Sequence, residues 1–434
     1  MANYGTSGGS RSWCEAVVLH VPVHKPAHSL LLEKWWVSYP ERVSHLNLAP
    51  FSAFGGEAAK YWTHMAHVLL IEGFSRALVY FRPPLIRALQ RAGHTVTVAT
   101  DLEQGDGVAE AMGEMDVTCE HLPIARNRIR PFGDLLLIWH MRRLMRRTKP
   151  EVLLTWTIKP NIYGPIAGRL AGIPRIGIVV CGLGRLLLGR GARAGIGWWL
   201  LRRGSRRADR IFVQNSDDQQ SLQSHGVMAG GTRAIMTAGC GVDLDAFPSL
   251  PLPDRPVVLM LGRLLASKGV HEYLDAAAVV RQQRPDVVFE LAGLLETGND
   301  AVSEVRIQAA VAQGDVRYLG FLKDQDLVRE AICRSCLYVL PSWHEGTPHS
   351  TLEAMSMGRA IVTTDARGCR ETVQEGVNGR LVPIRNAPAL AEAILDMLAD
   401  SSRLAKMGAA SRAMAESKFD ADEVAATIMR EMGL

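Results

Sequence analysis

The stretch that decides the fold is residues 338–365, which read YVLPSWHEGTPHSTLEAMSMGRAIVTTD. The pattern predicts a strand over 337–340, a loop over 341–348, a helix over 350–357 and a second strand over 360–364. Ser350 followed three residues later by Glu353 predicts a capping box at the start of the helix. Apolar runs on both sides of a helix are typical of a βαβ unit, so the stretch predicts an α/β fold with parallel sheets.

Two glutamates flank the predicted start of this helix. Glu345 lies in the loop and Glu353 in the first turn, and their Cα atoms would lie about 12 Å apart if every intervening step were helical. Paired carboxyl groups of a glycosidase are only about 5–9.5 Å apart, whereas the N–H groups of a helix start suit a phosphate. The pattern indicates a nucleotide sugar, with hydroxyls at both ends and a diphosphate between. Taken singly, Glu353 could merely cap its helix and Glu345 could be a solvated loop residue.

Length and composition favour two globular domains. The chain has 434 residues, of which 47% are hydrophobic and 21% charged, as in folded rather than disordered proteins. It contains no run of about 20 apolar residues, so no membrane-spanning helix is predicted. The seven cysteines have no framework spacing, and the pair Cys333 and Cys336 lacks the partners of a zinc site. A reducing, cytoplasmic setting is expected.

The net charge of +5 is distributed unevenly. Residues 126–210 contain 17 arginines and two lysines but only three acidic residues, which predicts an anionic partner for this half. Within 182–210, leucines and tryptophans accompany the arginines, which favours a surface resting on anionic lipid. An ordinary helix with a charged face is the alternative. No nucleic-acid-binding module is recognisable, so nucleic acid is not expected as a partner. The membrane-side candidates are Arg202, Arg203 and Arg206.

The order of strands and helices predicts how the chain is divided. Residues 1–64 lack a clear period and are expected to form a poorly structured extension. Alternating strands and helices then predict a first Rossmann-like domain over 65–250, with residues 72–81 forming a loop after its first strand. A second such domain is predicted over 251–415, and residues 416–434 are expected to form a terminal helix.

A second motif, GRLLASKG, occupies residues 262–269 and follows a predicted strand. Ligands of open α/β sheets bind at this end of the strands. Arg263 offers a planar fork and Lys268 a mobile charge for a diphosphate, although a solvated basic loop is the alternative. Asp243 and Asp245 imitate a metal-binding D-x-D motif, but they lie in a proline-bounded linker, so no metal site is predicted there.

The frame at 342–365, with its continuation GCRETVQEGVNGRLVP at 368–383, resembles the signature of the family 4 retaining glycosyltransferases. GVDLDAF at 241–247 is similar to the interdomain signature of that family. The resemblance extends from about Met65 to the C-terminus. It implies the GT-B fold, with two Rossmann-like domains facing across a cleft and a terminal helix that returns to the first domain.

The resemblance also implies roles for individual residues. Arg263 and Lys268 would stabilise the departing nucleoside diphosphate, Glu345 would hold hydroxyls of the donor sugar, and Glu353 would hold the ribose. The base would lie near Gly293 and the Gly320-Phe321 pair. No metal or other cofactor is expected. The full set of implied donor-binding residues is Gly262, Glu345, Gly346, Thr347, His349, Ser350, Thr351, Leu352 and Glu353.

TWTIKPN at 155–161 and QNSDD at 214–218 are similar to a subgroup that acts in capsule, O-antigen and exopolysaccharide synthesis. This implies a UDP-linked hexose or N-acetylhexosamine as donor and a polyprenyl-diphosphate-linked acceptor. Lys159 and Arg82 are the acceptor-side candidates. The subgroup also implies a cytoplasmic protein, peripheral on the inner face of the cell membrane. A nucleotide-sugar epimerase of the same fold and a non-catalytic, membrane-associated nucleotide-sugar-binding protein are the alternatives.

Overall fold

The computed structural model of the chain describes residues 65–102, 107–125, 131–189, 191–228 and 233–434. The predicted extension over 1–64 lies outside the described residues. Within them, two fully parallel β-sheets each carry helices on both faces, as expected when βαβ connections cover a buried sheet. The predicted α/β class with two Rossmann-like domains is confirmed.

The first sheet has the strand order β3-β2-β1-β4-β5-β6-β7. Leu70 in its centre lies opposite Val98 on one side and Leu154 on the other, and all three are fully buried. A continuous apolar core on both faces explains the runs of Val, Leu and Ile. The strands are β1 His67–Glu72, β2 Thr95–Thr100, β3 Thr118–His121, β4 Val152–Trp156, β5 Arg175–Val180, β6 Arg210–Val213 and β7 Arg233–Met236.

One prediction about the first domain is wrong, because the expected loop over 72–81 contains a helix. Its Ala77 and Leu78 are buried against the core, so tertiary packing stabilises a segment too short to show a helical period. The helices of this domain are α1 Ser75–Phe81, α2 Pro83–Arg91, α3 Val108–Glu114, α4 Pro131–Thr148, α5 Ile158–Ala171, α6 Gly184–Leu188, α7 Ala192–Ser205 and α8 Ser216–Ser224.

The second sheet has the order β10-β9-β8-β11-β12-β13. Its strands are β8 Val257–Leu261, β9 Val288–Ala292, β10 Arg317–Tyr318, β11 Leu337–Leu340, β12 Ala360–Thr364 and β13 Gly379–Val382. Its helices are α9 Val270–Gln283, α10 Glu304–Ala312, α11 Gln325–Arg334, α12 His349–Ser356, α13 Ala387–Leu398 and α14 Ser401–Lys418. In both sheets the direction of winding reverses once, between β1 and β4 and between β8 and β11, and ligands of such sheets bind at this reversal.

The last helix, α15 Ala421–Met432, packs on α2, β5 and β6 of the first domain. Ile428 and Met432 are buried in the first domain's core. The chain reaches this position through a bridge beside the linker, where the N–H of Val242 donates to the carbonyl of Phe419 at 2.8 Å. The end of the sequence is therefore part of the domain that the beginning of the described chain forms.

Candidate functional site

The loops after β8 and β11 meet at the winding reversal of the second sheet. Gly269 has φ +75°, and a Cβ there would lie 2.1 Å from the carbonyl oxygen of Pro341. Only glycine tolerates both this conformation and this approach. The contact brings the GRLLASKG loop against the loop that contains Glu345.

Lys268 and Glu345, predicted from separate motifs, lie together at this contact. The Lys268 Nζ donates to Oε1 of Glu345, and the Ser342 hydroxyl donates to the same oxygen at 2.6 Å. Burial opposes ionisation of Glu345, but Lys268 and Ser342 outweigh it and hold the pKa of the carboxyl below its usual range. Glu345 is therefore an ionised acceptor, and Oε2 has no donor among the described residues.

The loop that carries Glu345 is held by both domains. From the second domain, the carbonyl of Arg367 accepts the N–H of Glu345 at 2.9 Å. From the first domain, the Asn215 side-chain amide donates to the carbonyl of Gly346 at 2.9 Å. A Cβ at Gly182 would lie 3.3 Å from the nitrogen of Gly346. The candidate site consequently borders the cleft between the two sheets.

Two ion pairs cross the cleft beside this loop and form what we term the clasp, composed of Asp217, Asp218, Arg367 and Arg370. Arg367 pairs with the fully buried Asp218 at 2.8 Å, and Arg370 pairs with Asp217 at 2.6 Å. Burial raises the pKa of Asp218, although Arg367 and Asn215 oppose the shift. Sequence reasoning missed this role, because pairs about 150 residues apart leave no local pattern.

The helix α12 begins at His349, and the predicted capping box is wrong. Pro348 is the N-cap residue and no side chain caps the helix, so Ser350 lies two positions past the N-cap. The hydroxyl of Ser350 instead accepts from the hydroxyl of Tyr338 at 2.7 Å and donates to the carbonyl of Leu261 at 3.1 Å. Glu353 faces the ring of His349, with Oε1 3.0 Å from Nδ1.

Two of the backbone N–H groups predicted for phosphate are already used within the helix. Those of Thr351 and Leu352 donate to the carbonyl of Pro348, at 3.1 and 3.3 Å. Those of His349 and Ser350 have no acceptor among the described residues. The helix start therefore offers two N–H donors rather than four, which still suits an anion.

Arg263 lies at the open side of the site. Its side chain is 51% exposed, and among the described residues it is restrained by a single 3.5 Å contact with Glu296, so it can turn toward an anion. The first domain approaches the same side through α1, where the ring of Phe81 lies 4.8 Å from the ring of His349. Nearby, Arg76 lies 5.5 Å above the ring of Phe321, which sequence analysis placed near the base.

The two acceptor-side candidates are buried ion-pair partners rather than open cations. The guanidinium of Arg82 donates to Oε2 of Glu72 at 2.9 Å and stacks 4.6 Å from the ring of Trp156. Lys159 donates to Asp134 at 2.7 Å. Each positive charge is already neutralised, so neither residue presents a free cation to a ligand.

The arginine-rich segment over 182–210 differs from its predicted arrangement. Leu187, Trp198 and Leu201 are buried, so they form core and not membrane surface. Leu188, Ile196 and Trp199 remain exposed. Arg203 and Arg206 are exposed, whereas Arg202 lines a cavity of about 610 Å³ between α6, α7 and α8.

Asp243 and Asp245 do not form a shared carboxylate site. Oδ1 of Asp243 accepts the N–H groups of Asp245 and Ala246, at 3.2 and 2.9 Å, and so stabilises a turn. Across the described ranges, no group of three or more metal-ligating side chains lies together. Among the same residues, no helix combines the length and apolar character needed to span a bilayer.

Comparisons with known proteins cover both domains. Residues 243–414 match the family described as "Glycosyl transferases group 1", and residues 81–237 match the "Glycosyl transferase 4-like domain". Both loops that meet at the winding reversal of the second sheet fall within the first of these matches.

Individual relatives of the chain are glycosyltransferases as well. The chain is 25% identical over 341 residues to N,N'-diacetylbacillosaminyl-diphospho-undecaprenol alpha-1,3-N-acetylgalactosaminyltransferase of Campylobacter jejuni, covering 75% of this chain and 87% of that protein. It is 27% identical over 293 residues to the lipopolysaccharide core biosynthesis glycosyltransferase LpsE of Rhizobium meliloti, covering 63% and 74%. The crystal structure of Anabaena HepE with UDP and glucose superimposes with a TM-score of 0.68 at 18% identity, covering 84% of this chain and 98% of that chain.

Proposed function

We propose that this chain, whose two domains match glycosyltransferase family models, moves a sugar from a nucleotide diphosphate sugar to a polyprenyl-diphosphate-linked saccharide, with retention at the anomeric carbon. A UDP-linked hexose or N-acetylhexosamine is the proposed donor. The observation that carries the proposal is the meeting of Lys268 and Glu345 at the winding reversal of the second sheet, beside the free N–H groups of α12.

The geometry supports distinct roles for the two charges. Ionised Glu345 can only accept hydrogen bonds, so we assign its free Oε2 to hydroxyls of the donor sugar rather than to proton donation. Lys268 donates to Oε1 of Glu345, and its flexible side chain can exchange this acceptor for an arriving diphosphate. Arg263 can turn in from the open side and grip the same group. Glu353, whose Oε1 lies 3.0 Å from Nδ1 of His349, is assigned to the ribose.

The proposed step breaks the bond between the anomeric carbon and the phosphate oxygen. The acceptor hydroxyl forms a new bond on the same face, and its proton passes to the departing phosphate. Lys268, Arg263 and the N–H groups of His349 and Ser350 stabilise the charge that grows on the phosphate. Charge stabilisation of this kind is usually the largest catalytic contribution, and the proposal assigns none of it to a metal ion.

The acceptor class rests on the relatives. The Campylobacter jejuni protein is named for a diphospho-undecaprenol acceptor, and the Rhizobium meliloti protein for lipopolysaccharide core synthesis. These names favour surface polysaccharide synthesis, including capsule or lipopolysaccharide, for this chain as well. The basic first domain suits an anionic lipid diphosphate.

We further assign the protein to the cytoplasmic face of the cell membrane as a peripheral protein. Beside the exposed residues of α7, the start of α4 exposes Phe132, Leu135, Leu136 and Trp139, with Phe132 88% exposed. Apolar and aromatic side chains next to arginines are typical of helices that lie on anionic lipid. Co-sedimentation with anionic vesicles tests this, and Arg203→Gln with Arg206→Gln should weaken it. Unchanged sedimentation would refute the assignment.

A direct assay tests the transfer. The protein is incubated with UDP-linked sugars and a polyprenyl-diphosphate-linked monosaccharide, and products are resolved by mass and by NMR of the new linkage. Release of UDP with an acceptor one sugar longer, in the anomeric configuration of the donor, is expected. Conversion of the donor without acceptor would instead establish an epimerase, and binding without turnover a non-catalytic nucleotide-sugar-binding protein.

A further inference from the structure

The cavity near Arg202 lies in the first domain and outside the donor site. Its wall is apolar and aromatic, with Leu183, Leu187 and Trp198 inside and Leu188 and Trp199 at its mouth. Its volume of about 610 Å³ falls within the range of small-molecule sites. Walls of this kind bind a hydrocarbon chain.

One charged group interrupts the apolar wall. Nε of Arg202 is buried and has no hydrogen-bond partner among the described residues. None of the carboxylates that the structure describes forms an ion pair with its guanidinium. A buried donor without an acceptor is costly and rare in native proteins. An anion that enters the cavity would supply the acceptor, and a phosphate suits the planar guanidinium.

His225 adds a second polar group to the same wall. Its ring stacks on Trp198, with centroids 3.8 Å apart and planes 10° apart, and Nδ1 lies 2.8 Å from the carbonyl of Ser221. When Nδ1 donates to that carbonyl, the ring orientation is fixed. The aromatic floor of the cavity is therefore rigid, as expected of a binding site whose shape is formed in advance.

The position of the cavity links it to the cleft. Leu183 follows directly after Gly182, whose backbone touches Gly346 beside Glu345. Ser221 belongs to α8, whose first turn carries the two aspartates of the clasp. The cavity thus shares α8 and the segment after β5 with the side of the first domain that contacts the Glu345 loop.

We propose that this cavity binds the phosphate-proximal part of a polyprenyl diphosphate, with the hydrocarbon against Trp198 and Leu187 and the phosphate on Arg202. This inference rests on the proposed function, because it names where the lipid part of the proposed acceptor is held. It also gives the first domain an acceptor cation that is unpaired, in contrast to Arg82 and Lys159.

Binding of farnesyl diphosphate to the full chain tests the proposal without any donor, by calorimetry and by the fluorescence of Trp198 and Trp199. Arg202→Gln should weaken binding about tenfold or more, as loss of a charged hydrogen bond does. Gly195→Phe should abolish it, because Gly195 lines the cavity and a Cβ there meets nothing within 4 Å. Gly113→Phe, at an equally open helical glycine remote from the cavity, is the matched control and should bind normally.

Several outcomes would overturn the proposal. If inorganic diphosphate bound as tightly as farnesyl diphosphate, a site for the hydrocarbon chain would be excluded. If farnesol bound as tightly, the role of Arg202 would be excluded. Unaltered binding by Gly195→Phe would place the ligand elsewhere, and tighter binding of a short-chain phosphatidate would assign the cavity to membrane lipid. Thermal unfolding of each variant checks folding. A protein that binds farnesyl diphosphate here but transfers no sugar would refute the proposed function alone.

Discussion

The two sheets share the strand order 3-2-1-4-5-6, to which the first sheet adds a seventh strand, yet the residues at their winding reversals differ. In the second sheet the loops after β8 and β11 leave Lys268 and Glu345 facing the cleft. In the first sheet, a Cβ at Gly73 would lie 2.1 Å from the hydroxyl of Thr157, so the loops after β1 and β4 also meet, but the cations beside them, Arg82 and Lys159, are buried in ion pairs. Topology alone therefore does not place a ligand. The acceptor must be sought elsewhere in the first domain, as the Arg202 cavity proposes.

The cations of the two domains differ in the same way. Lys268 is paired with a glutamate that a ligand can engage, and Arg263 is half exposed. Arg82 and Lys159 are buried and paired with the carboxylates of Glu72 and Asp134. The comparison predicts catalytic effects from substitutions in the second domain and stability effects from those in the first.

The largest effect is expected for Lys268→Ala. Loss of one preorganised contact to the departing charge typically lowers kcat about 100- to 1000-fold. Steady-state kinetics with a saturating donor measures it, and Lys406→Ala, an exposed lysine on α14, is the control. Wild-type turnover in Lys268→Ala would exclude this lysine from the mechanism. It would also contradict the expectation that substitutions in the second domain affect catalysis.

Lys159→Met should act on stability instead. It removes the ammonium group that pairs with the buried carboxylate of Asp134, and breaking a buried pair costs about 3–5 kcal/mol, or on the order of 10 °C in the midpoint of thermal unfolding for a domain of this size. Differential scanning calorimetry measures the shift. If the midpoint stays constant while KM for the acceptor rises, Lys159 contacts the acceptor and the contrast between the domains is broken.

A smaller effect is expected from the clasp, where the two ion pairs can be compared with each other. Arg367→Ala should cost about 1.5–3 kcal/mol, since it removes a charged hydrogen bond to the fully buried Asp218. Arg370→Ala, whose side chain is 39% exposed, should cost less than about 1 kcal/mol. Thermal midpoints and KM for the donor are compared. Equal effects would mean that burial does not distinguish the two pairs.

The smallest expected effect is the pH dependence of stability that Glu345 contributes. Because its folded pKa lies below the ordinary value of 4.5, the ionised carboxylate stabilises the fold above that pH, and this stabilisation is lost as the pH falls through the folded pKa. Wild type should therefore lose more stability than Glu345→Gln between about pH 5 and pH 3. Denaturant titrations at each pH measure this, with exposed Glu423→Gln as control. A parallel loss in all three would contradict the shift.

How much could be predicted from sequence depended on how far apart the interacting residues are. The strand–loop–helix pattern around Glu345 and the loop after β8 follow from local periodicity, so their placement at one sheet edge could be expected. The partners of Arg82 and Lys159 are 10 and 25 residues away on other elements, and no pattern connects them. The capping box failed because Pro348 starts the helix earlier than Ser350 would.

The second limit on prediction from sequence was which side chains are buried. The mixture of leucines, tryptophans and arginines over 182–210 is equally compatible with a membrane-binding surface and with a helix packed on a core. Which tryptophan is inside depends on α6 and α8, and Trp198 is inside while its neighbour Trp199 is not. The cavity between these helices, and the unpartnered nitrogen of Arg202, arise only from that packing.

The return of α15 has a consequence for synthesis on the ribosome. Val424, Ala425 and Ile428 complete a core whose strands begin at residue 67, so the first domain lacks one wall until α15 has been translated. The second domain also uses a late segment, because α14 packs on β12 and Phe419 belongs to its core. Although domains generally fold in the order in which they emerge, here the domain that emerges first is completed only after the second domain has been translated.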